Sequence, residues 1–380
     1  MGVFCFFLGI VWDSLGMRFE YSLRKFGKRV KWLKRIGLGL LILLVIGYIW
    51  QFELVNYGIM QLRGQLRVVN NSMPLEDFLE LPETTEEQKE KYLKPLCEGT
   101  ARSCFAMTEP EVAGSDPTLI KTTAYQDGDE WVVNGHKWFI SGARGAKFAL
   151  LVARTEDDPE IPQAANSCFI VDLPSDGWEV VRDVQTMSGG HNHCEIRITD
   201  LRVPAANMLG GRGQGHLLGQ YRLGPARLAH CMRWIGQAET ALDMMVSRSM
   251  ERYSHGSLLA EKQGIQWLIA DSAVELYQCK LMVLHAAYQI EQKMDFTAVV
   301  SMAKHFVANS LWRIIDRAIQ VHGALGYSTD TPLAHMLQQA RWARFADGAD
   351  EIHQMRIAQR TIAAFNDSGT TKAATGNLPL

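Results

Sequence analysis

Residues 105–116 could hold a flat aromatic ligand, with the sequence Phe-Ala-Met-Thr-Glu-Pro-Glu-Val-Ala-Gly-Ser-Asp. They begin like a strand, but the proline at position 110 fixes φ and removes a backbone donor, so the strand cannot continue. The hydroxyls of Thr108 and Ser115 are then available to a ligand. Phe105 and Met107 are suited to cover a ring. An ordinary strand end followed by a turn has the same pattern, and this stretch alone leaves both readings open.

A second candidate for chemistry is Asp347, within the sequence Ala-Asp-Gly-Ala-Asp-Glu-Ile-His at residues 346–353. Acidic residues of this kind are typical of a helix N-terminus, where carboxylates meet free backbone N–H groups. Asp347 also precedes Gly348, so its short carboxylate could project into a cavity and act as a general base.

Three further motifs have simpler readings. The glycine-rich residues 210–215 do not lie in an alternating βαβ unit, so a hinge is favoured over a phosphate-binding loop. Residues 191–194, His-Asn-His-Cys, have no second cluster at zinc spacing, so we predict a hairpin loop and no metal site. Residues 320–326, Gln-Val-His-Gly-Ala-Leu-Gly, end a long helical pattern and read first as a helix C-cap.

Composition limits the classes of protein to consider. The chain has 380 residues, 47% of them hydrophobic and 21% charged, so it can bury a sizeable core and is not a disordered protein. A formal net charge of -2 argues against a general polyanion binder, and we expect no nucleic-acid partner. Seven scattered cysteines without a Cys-x-x-Cys pair predict reduced thiols and a cytoplasmic catalytic body.

Residues 1–83 differ from the rest of the chain. A basic cluster at 24–35 precedes an uncharged apolar run at 36–50, which Gln51 and Phe52 extend. This length is the short limit for a spanning helix, and the basic flank would keep the N-terminus cytoplasmic. We therefore predict an N-terminal hydrophobic helix with possible membrane association through 36–52; a buried helix or a cleavable signal peptide is the alternative. With a membrane anchor, the rest of the chain would leave the cytoplasm, which conflicts with the reduced thiols predicted from the cysteines. The conflict is resolved if the segment lies in the membrane interface or if residues 1–83 are functionally separate.

The remaining patterns predict an α+β fold with two parts. Short β-type segments separated by turn residues between 118 and 205 are typical of a small β-sandwich or β-barrel. Long periodic segments at 228–252, 259–292, 297–325 and 332–365 then predict an antiparallel four-helix bundle. The predicted divisions are 1–83 (membrane-directed), 84–104 (a helical remnant), 105–215 (β domain), 216–366 (helical bundle) and 367–380 (disordered tail).

Five motifs, in order, resemble those of the acyl-CoA dehydrogenase superfamily over residues 84–365. They are 105–110 with 113–116, 134–141 (Asn-Gly-His-Lys-Trp-Phe-Ile-Ser), 252–256 (Arg-Tyr-Ser-His-Gly), 320–326 and 346–353. The resemblance implies a middle β domain and a C-terminal bundle that hold FAD between them. It also implies a homodimer or homotetramer whose neighbouring subunit completes the cofactor site, an acyl-CoA substrate, and an electron-transferring flavoprotein as acceptor.

The resemblance also implies site residues, each by its match to a family motif. Asp347 would be the catalytic base, and Ser115 and Arg227 would contact the substrate. The FAD contacts would be Phe105, Ala106, Met107, Thr108, Ser115, Phe139, Ile140, Ser141, Arg252, Ser254, Gln263, Ala349 and Glu351, with Gln320, Val321, His322, Gly323 and Ala324 approaching from the partner subunit.

The implied reaction is α,β-dehydrogenation of an acyl-CoA thioester to a 2-enoyl-CoA, as in fatty acid β-oxidation. Asp347 would remove the α proton while a hydride leaves the β carbon for the flavin. The alternative is a truncated or chimeric, non-catalytic flavin-binding or oligomerising protein, one form of which would be tethered to a membrane. A flavin-dependent acyl-CoA oxidase is a third possibility.

The chain departs from the family pattern in two places, and the second departure motivates that alternative. Gln338 and Gln339 stand where relatives commonly carry an Arg-Asp pair. Only the last helix of the family's N-terminal domain is recognisable, at about 86–93, so the wall on one side of the acyl pocket is missing. Residues 40–83 instead resemble the N-terminal start of a predicted bacterial aminopeptidase family, without a peptidase's metal ligands and with no His-Glu-x-x-His in the chain.

Overall fold

The computed structural model of the chain describes residues 85–157, 162–190, 192–292, 294–372 and 374. The predicted hydrophobic helix, its membrane association, and the aminopeptidase-like stretch fall in residues 1–84 and lie outside the described residues. Where the chain is described, no helix is both long and apolar enough to cross a membrane. Half of the predicted tail 367–380, namely residues 373 and 375–380, also lies outside the described part.

Ten strands are described. They are β1 (Ser103–Ala106), β2 (Thr123–Asp127), β3 (Glu130–Ser141), β4 (Phe148–Arg154), β5 (Asn166–Asp172), β6 (Trp178–Asp183), β7 (His193–Pro204), β8 (Met208–Leu209), β9 (Tyr253–Ser254) and β10 (Ser257–Leu258). The first eight form one sheet in the order β6-β7-β3-β2-β4-β5-β8, with β1 pairing β4, and β9 pairs only with β10.

The eight strands of the sheet domain form one hydrogen-bonded sheet, and the sandwich or barrel that the sequence predicted stays a prediction. The two halves of the sheet meet where β2 and β4 share a single parallel pair, Thr123 with Arg154. The amide of Arg154 also donates 2.7 Å to the carbonyl of Thr122. This junction keeps the two halves in one hydrogen-bonded sheet, and no pairing of the end strands β6 and β8 with each other occurs among the described residues.

One face of the sheet forms a core. Along β7, buried and exposed residues alternate over most of the strand, as a half-buried antiparallel strand requires. Trp131, Phe169, Ile196 and Leu201 lie in this core. The rings of Trp131 and Phe169 pack 5.4 Å apart. The alternation that predicted short strands here therefore reflects burial of one face.

Eight α-helical segments are described. They are α1 (Glu86–Gln88), α2 (Lys94–Cys97), α3 (Gly215–Glu251), α4 (Gln263–Glu291), α5 (Thr297–His322), α6 (Ala324–Tyr327), α7 (Leu333–Trp342) and α8 (Asp350–Ser368). A π-helical turn, Lys89–Leu93, joins α1 to α2.

The helix at the start of the described chain packs on the sheet. Thr85 and Gln88 form a capping box that fixes its first turn. Tyr92 is buried, with its ring 5.0 Å from the ring of Phe148 on β4. The predicted remnant at 86–93 is thus helical, and the helical segment continues to Cys97.

The C-terminal part is a helical domain in which α3, α4, α5 and α8 are the long elements. Its core includes Trp234, Met245, Leu311, Ile314 and Ile315. The glycine-rich residues 210–215 lead into it, and their amides are used by the protein itself. The amide of Gly211 donates to the Gln214 side chain at 2.6 Å, and the amide of Gly213 donates to the Ser167 hydroxyl at 2.9 Å. These bonds agree with a hinge.

The fourth predicted helix, residues 332–365, is divided into α7 and α8. The break lies at residues 343–349, where Asp347 has φ of 51° and Gly348 has φ of 113°. Neither value is compatible with a right-handed helix. Apolar periodicity continues through the break and did not reveal it, but the acidic residues of 346–353 were interpreted as a helix N-terminus, and α8 begins at Asp350. The break is what projects Asp347.

Candidate active site

The end of β1 and the end of β3 lie side by side, and we call residues 105–108 with 138–141 the aromatic wall. The amide of Trp138 donates 3.0 Å to the carbonyl of Thr108, and the hydroxyl of Thr108 donates 2.6 Å to the carbonyl of Trp138. These two bonds bring together two stretches that the sequence had assigned to the same ring-binding role.

Phe139 is held away from the protein on this wall. Its φ is 54°, in the left-handed region that non-glycine residues rarely adopt. The pairing of β3 with β7 shifts register between Lys137 and Ile140, as at a β-bulge, and a bulge re-aims side chains. The Phe139 ring is 43% exposed although it is large and apolar.

Other predicted members of the wall differ in what they can offer. Phe105, Met107 and Thr108 are half-buried, so their side chains reach the surface of the wall. Ala106 and Ile140 are buried in the sheet core and could present only backbone atoms. The Ser141 hydroxyl is exposed and lies 2.8 Å from Nδ1 of His193, which is part of the predicted hairpin loop. His191 of that loop lies outside the described residues.

A buried ion pair supports the wall from behind. Nζ of Lys137 lies 2.8 Å from Oε1 of Glu109 and donates 2.9 Å to the carbonyl of Met107. Glu109 also accepts bonds from the amides of Lys121 and Thr122 and from the Thr122 hydroxyl. Burial lowers the pKa of Lys137 to about 8, although Glu109 opposes this effect. The pair thereby fixes the backbone just beyond the aromatic wall.

The turn that follows folds back onto the wall. A Cβ added to Gly114 would lie 3.3 Å from Cγ2 of Thr108, so the chain passes close to this side chain. Ser115 is exposed at the tip of the turn. The Asp116 side chain accepts bonds from the amide and hydroxyl of Thr118, which closes the turn. Ser115 therefore stays available to a ligand.

Helix α3 connects the wall to the helical domain. The guanidinium of Arg222 lies 4.8 Å from the ring centroid of Phe105, a cation–π contact. A Cβ on Gly219 would lie 3.9 Å from the same ring. The helix that carries Arg227 therefore begins against the aromatic wall.

Asp347 lies on the break between α7 and α8, and we call residues 346–350 the base loop. Nε of Arg227 donates 2.7 Å to the Asp347 carbonyl, and Nε2 of His230 lies 2.9 Å from the Asp347 Oδ2. The Asp347 side chain is 20% exposed. Burial alone raises the pKa of this carboxyl, but His230, Arg222 and Arg227 together hold it below its usual value. A carboxylate in this setting stays ionised near neutral pH.

Buried polar groups hold the base loop from below. Nζ of Lys304, fully buried on α5, donates 2.6 Å to the Gly348 carbonyl. Asp350, 2% exposed, accepts bonds from Arg344 at 2.8 Å and Asn309 at 3.0 Å. A Cβ on Gly348 would lie 2.8 Å from Nε2 of the buried His353. The left-handed conformation of the loop is therefore fixed from several sides.

The other predicted cofactor residues lie elsewhere. Arg252, Gln263, Gln320, Gly323, Ala324 and Glu351 are exposed, Ser254 and Ala349 are half-buried, and Val321 and His322 are buried. Apart from Ala349, which belongs to the base loop, they make no hydrogen bond or ion pair with the aromatic wall or Asp347 in the described part of the chain. The structure thus brings the wall, Arg227 and Asp347 into contact through α3, but not these residues.

Sequence reasoning missed several residues of the site, among them Lys137, His230, Arg233 and Lys304. His230 could have been found, because it follows Arg227 by three residues and such positions are neighbours on a helix surface, and Arg233 follows His230 by the same interval. The two buried lysines carry no such signal, because lysine is almost always exposed unless it is paired.

Two family models match the chain. They are "Acyl-CoA dehydrogenase, middle domain", over residues 104–201, and "Acyl-CoA dehydrogenase, C-terminal domain", over residues 213–362. The first covers the aromatic wall, and the second covers Arg227 and the base loop.

Relatives match the same region. The chain is 42% identical over 285 residues to FadE2 of Mycobacterium tuberculosis, named a probable acyl-CoA dehydrogenase, and the match covers 73% of this chain and 70% of that protein. It is 43% identical over 286 residues to acyl-CoA dehydrogenase family member 10 of Mus musculus. That match covers 73% of this chain but spans only 27% of the mouse protein.

Solved structures share the fold. An acyl-CoA dehydrogenase from Geobacillus kaustophilus aligns with a TM-score of 0.70 at 28% identity, covering 73% of each chain. The butyryl-CoA dehydrogenase of Megasphaera elsdenii aligns with a TM-score of 0.67 at 30% identity, covering 71% of this chain and 70% of that one.

Proposed function

Because the chain belongs to the acyl-CoA dehydrogenase family, we propose that it is a FAD-dependent dehydrogenase that converts an acyl-CoA thioester into a 2-enoyl-CoA. Family members are flavoproteins and oxidoreductases that act on acyl-CoA. The observation that carries the proposal is that one helix, α3, contacts both the aromatic wall and the ionised Asp347, at two points along its length.

The aromatic wall fits a flavin. Phe139 has a strained φ of 54° and an exposed ring, and strain of this kind at an exposed aromatic side chain is typical of a ligand site. Phe105, Met107 and Thr108 complete a face with apolar side chains and one hydroxyl. FAD, when bound, takes up the hydride that leaves the β carbon of the substrate.

Asp347 is suited to remove the α proton of the thioester. In this step the α C–H bond breaks and the proton passes to a carboxylate oxygen of Asp347. Arg227 donates a hydrogen bond to the Asp347 carbonyl, and Lys304 donates one to the Gly348 carbonyl. These two bonds hold the backbone that carries the base in place. Aspartate is one methylene shorter than glutamate, so the substrate must lie close to the base loop.

Helix α4 supports the proposal of a homo-oligomer. Along one face it exposes large apolar side chains at three- and four-residue spacing, and an apolar stripe this long is typical of an interface. The stripe comprises Trp267, Val274, Tyr277, Leu281, Leu284 and Tyr288. Several of the implied cofactor residues, Arg252, Gln263, Gln320 and Ala324 among them, are exposed, as residues that meet a cofactor between subunits would be. Light scattering of wild type and Leu284→Arg tests this proposal; an unchanged monomer mass in both would contradict it.

A cytoplasmic location, a role in fatty acid β-oxidation and an electron-transferring flavoprotein as acceptor are parts of the same proposal. A solved structure named for the electron transferring flavoprotein of Acidaminococcus fermentans aligns with this chain at a TM-score of 0.67 and 30% identity. Transfer of electrons from the reduced protein to a purified electron-transferring flavoprotein, followed by its absorbance, tests this part.

The central experiment follows flavin absorbance in the purified protein. We expect bound FAD, and we expect anaerobic mixing with short-, medium- and long-chain acyl-CoA thioesters to bleach it with at least one of them. Asp347→Asn is the matched variant, since it keeps the shape and loses the base; it should bind FAD and not bleach. A protein without flavin would contradict the proposal, and bleaching that survives Asp347→Asn would contradict the assigned base. Peroxide formation in air would identify an oxidase instead.

A further inference from the structure

His230 lies between Asp347 and Arg233 in a continuous chain of polar contacts. We propose that His230 is a positioning residue, locked by Arg233 with its proton on Nε2, that holds one oxygen of the Asp347 carboxylate and leaves the other for the substrate. The inference deepens the proposed function and rests on it, because it concerns the same base.

The three side chains are arranged by α3. Arg227, His230 and Arg233 are spaced at three-residue intervals and so lie on neighbouring parts of one helix surface. Arg227 holds the Asp347 backbone carbonyl at 2.7 Å, and His230 Nε2 lies 2.9 Å from the side-chain Oδ2. Two residues of the same helix therefore contact the base: Arg227 binds the backbone of Asp347, and His230 lies against its side chain.

Arg233 determines which ring nitrogen of His230 carries the proton. The guanidinium of Arg233 contacts Nδ1 of His230. A guanidinium has only donors, so Nδ1 must act as the acceptor and carry no proton. The proton of the neutral ring is then on Nε2, the nitrogen that faces Asp347. His230 can therefore donate to the carboxylate but cannot compete with it for the substrate's α proton.

Two tryptophans hold the ring in place. Trp234 stacks on the His230 ring with centroids 5.3 Å apart and planes at 15°, and the Trp342 ring meets it edge-on at 5.2 Å. This packing restricts rotation of the imidazole, so Nε2 stays directed toward the base loop. Trp342 ends α7, so it ties His230 to the element immediately before the base loop.

The arrangement has a specific consequence for Asp347. Its Oδ2 has no well-aligned hydrogen bond although Nε2 lies within 3 Å, and such contacts often tighten only when substrate binds. The charged groups around the carboxylate are Arg222, Arg227 and Arg233 on α3 and Lys304 on α5. These four groups are cationic, while Asp350 of the same base loop is anionic and is bound by Arg344 and Asn309. The loss of His230 therefore removes the neutral hydrogen-bond donor nearest to the base, and not its only stabilising neighbour.

The tautomer is tested directly by ¹⁵N NMR of the histidine-labelled protein, with His230→Gln used to assign the resonances. We expect Nδ1 of His230 to resonate as an unprotonated nitrogen and Nε2 as a protonated one, and Arg233→Met to shift this distribution. A protonated Nδ1 in the wild-type protein would overturn the inference. This readout needs neither FAD nor substrate, so it stands apart from any failure of the proposed function.

The effect on the base is tested by ¹³C NMR titration of the Asp347 carboxyl and by the pH profile of flavin reduction. His230→Leu should move the carboxyl titration and the acid limb of the profile to higher pH, and slow reduction about 10- to 100-fold through loss of orientation. His230→Gln keeps an amide donor and should recover most of the rate. His335→Leu, an exposed histidine on α7, is the control and should match wild type.

Equal titrations in wild type and His230→Leu would refute the positioning role. Should His230→Leu fail to fold, Arg233→Met and His230→Gln give the same comparison. A wild-type protein that binds no FAD would end the proposed function, while the tautomer and the Asp347 titration would still decide the inference about His230.

Discussion

The ammonium group of Lys304 donates a 2.6 Å hydrogen bond to the carbonyl oxygen of Gly348, the residue that follows Asp347. Lys304 is fully buried, and burial lowers its pKa to about 8 while Asp350 opposes the effect. Burying a lysine ammonium group costs free energy of folding. We therefore interpret its hydrogen bond to Gly348 as a brace, that is, a contact that holds the base loop in its conformation.

Lys304→Met should therefore loosen the base loop without removing any group that touches the substrate. We expect slower flavin reduction with unchanged FAD binding, and a loss of about 1–3 kcal/mol in unfolding free energy from the unpaired Gly348 carbonyl. Stopped-flow reduction and urea unfolding measure the two effects. Lys280→Met is the control, because Lys280 is exposed on α4 and pairs with Glu239 on the helix surface. Equal reduction rates in Lys304→Met and wild type would contradict the brace.

The ion pair behind the aromatic wall should dominate the stability of the sheet domain. Removing one partner of a buried pair leaves the other charge without compensation, so Lys137→Met should cost about 3–5 kcal/mol in unfolding free energy. Adding Glu109→Gln should recover part of the loss, because the orphaned charge is then removed. Urea unfolding measures both.

An exposed ion pair gives the comparison. Arg202 bridges Asp127 and Glu130 at the surface, and Arg202→Met should cost about 1 kcal/mol or less. A Lys137→Met loss as small as that of Arg202→Met would show that the buried pair adds little to stability.

His353 should make the protein lose stability as the pH falls. Burial, with Arg227, Lys304 and Arg356 nearby, lowers its pKa to about 3 from an ordinary 6.5. Between these values the unfolded chain binds a proton that the folded protein does not, so unfolding free energy falls with pH at up to about 1.4 kcal/mol per pH unit. The difference between wild type and His353→Gln, measured by urea unfolding from pH 7 to about pH 4, should follow that slope. His335→Gln should show no such difference.

Gly348→Ala should damage both stability and activity. The added Cβ would meet Nε2 of His353 at 2.8 Å, and the φ of 113° is strained for any side chain. We expect a loss of about 1–3 kcal/mol in thermal or urea unfolding, together with slower flavin reduction. Gly264→Ala provides the contrast, since a Cβ there meets open space in a helix and should be neutral or stabilising. Tolerance of alanine at position 348 would mean that the base loop is not held in this conformation.

Residue patterns predicted the sheet domain, the helical domain and the strand that ends in the stretch 105–116, because these depend on local periodicity and on proline. Apolar periodicity alone did not reveal the division of 332–365, because the period continues through residues 343–349; the interpretation of 346–353 as a helix N-terminus was the signal for it. The conformation of the turn could not be predicted, because tertiary contacts to Lys304 and Arg227 fix it. Strand spacing likewise does not reveal the single β2–β4 pair that keeps the sheet continuous.

For the site, the family resemblance predicted Asp347 and the residues of the aromatic wall, which lie in contiguous motifs. It also predicted Arg227, which lies outside those motifs and which the structure places against the Asp347 carbonyl. It could not locate Lys137 or Lys304 as supports, because their role depends on burial across distant parts of the chain. His230 lay within reach of an argument from helix spacing, but its contact with Asp347 needs the break in residues 343–349 and so required the structure.

Helix α3 has 37 residues, which corresponds to about 55 Å of continuous helix. Near its start it contacts the ring of Phe105, and about two turns further on it contacts Asp347 through Arg227 and His230. The distance between the aromatic wall and Asp347 is thus set by one continuous helix. It does not depend on how two independently folded parts are placed. Displacements of the sheet domain and of the base loop should be correlated, and a substitution that bends α3 between residues 222 and 227 would misalign both halves of the site at once.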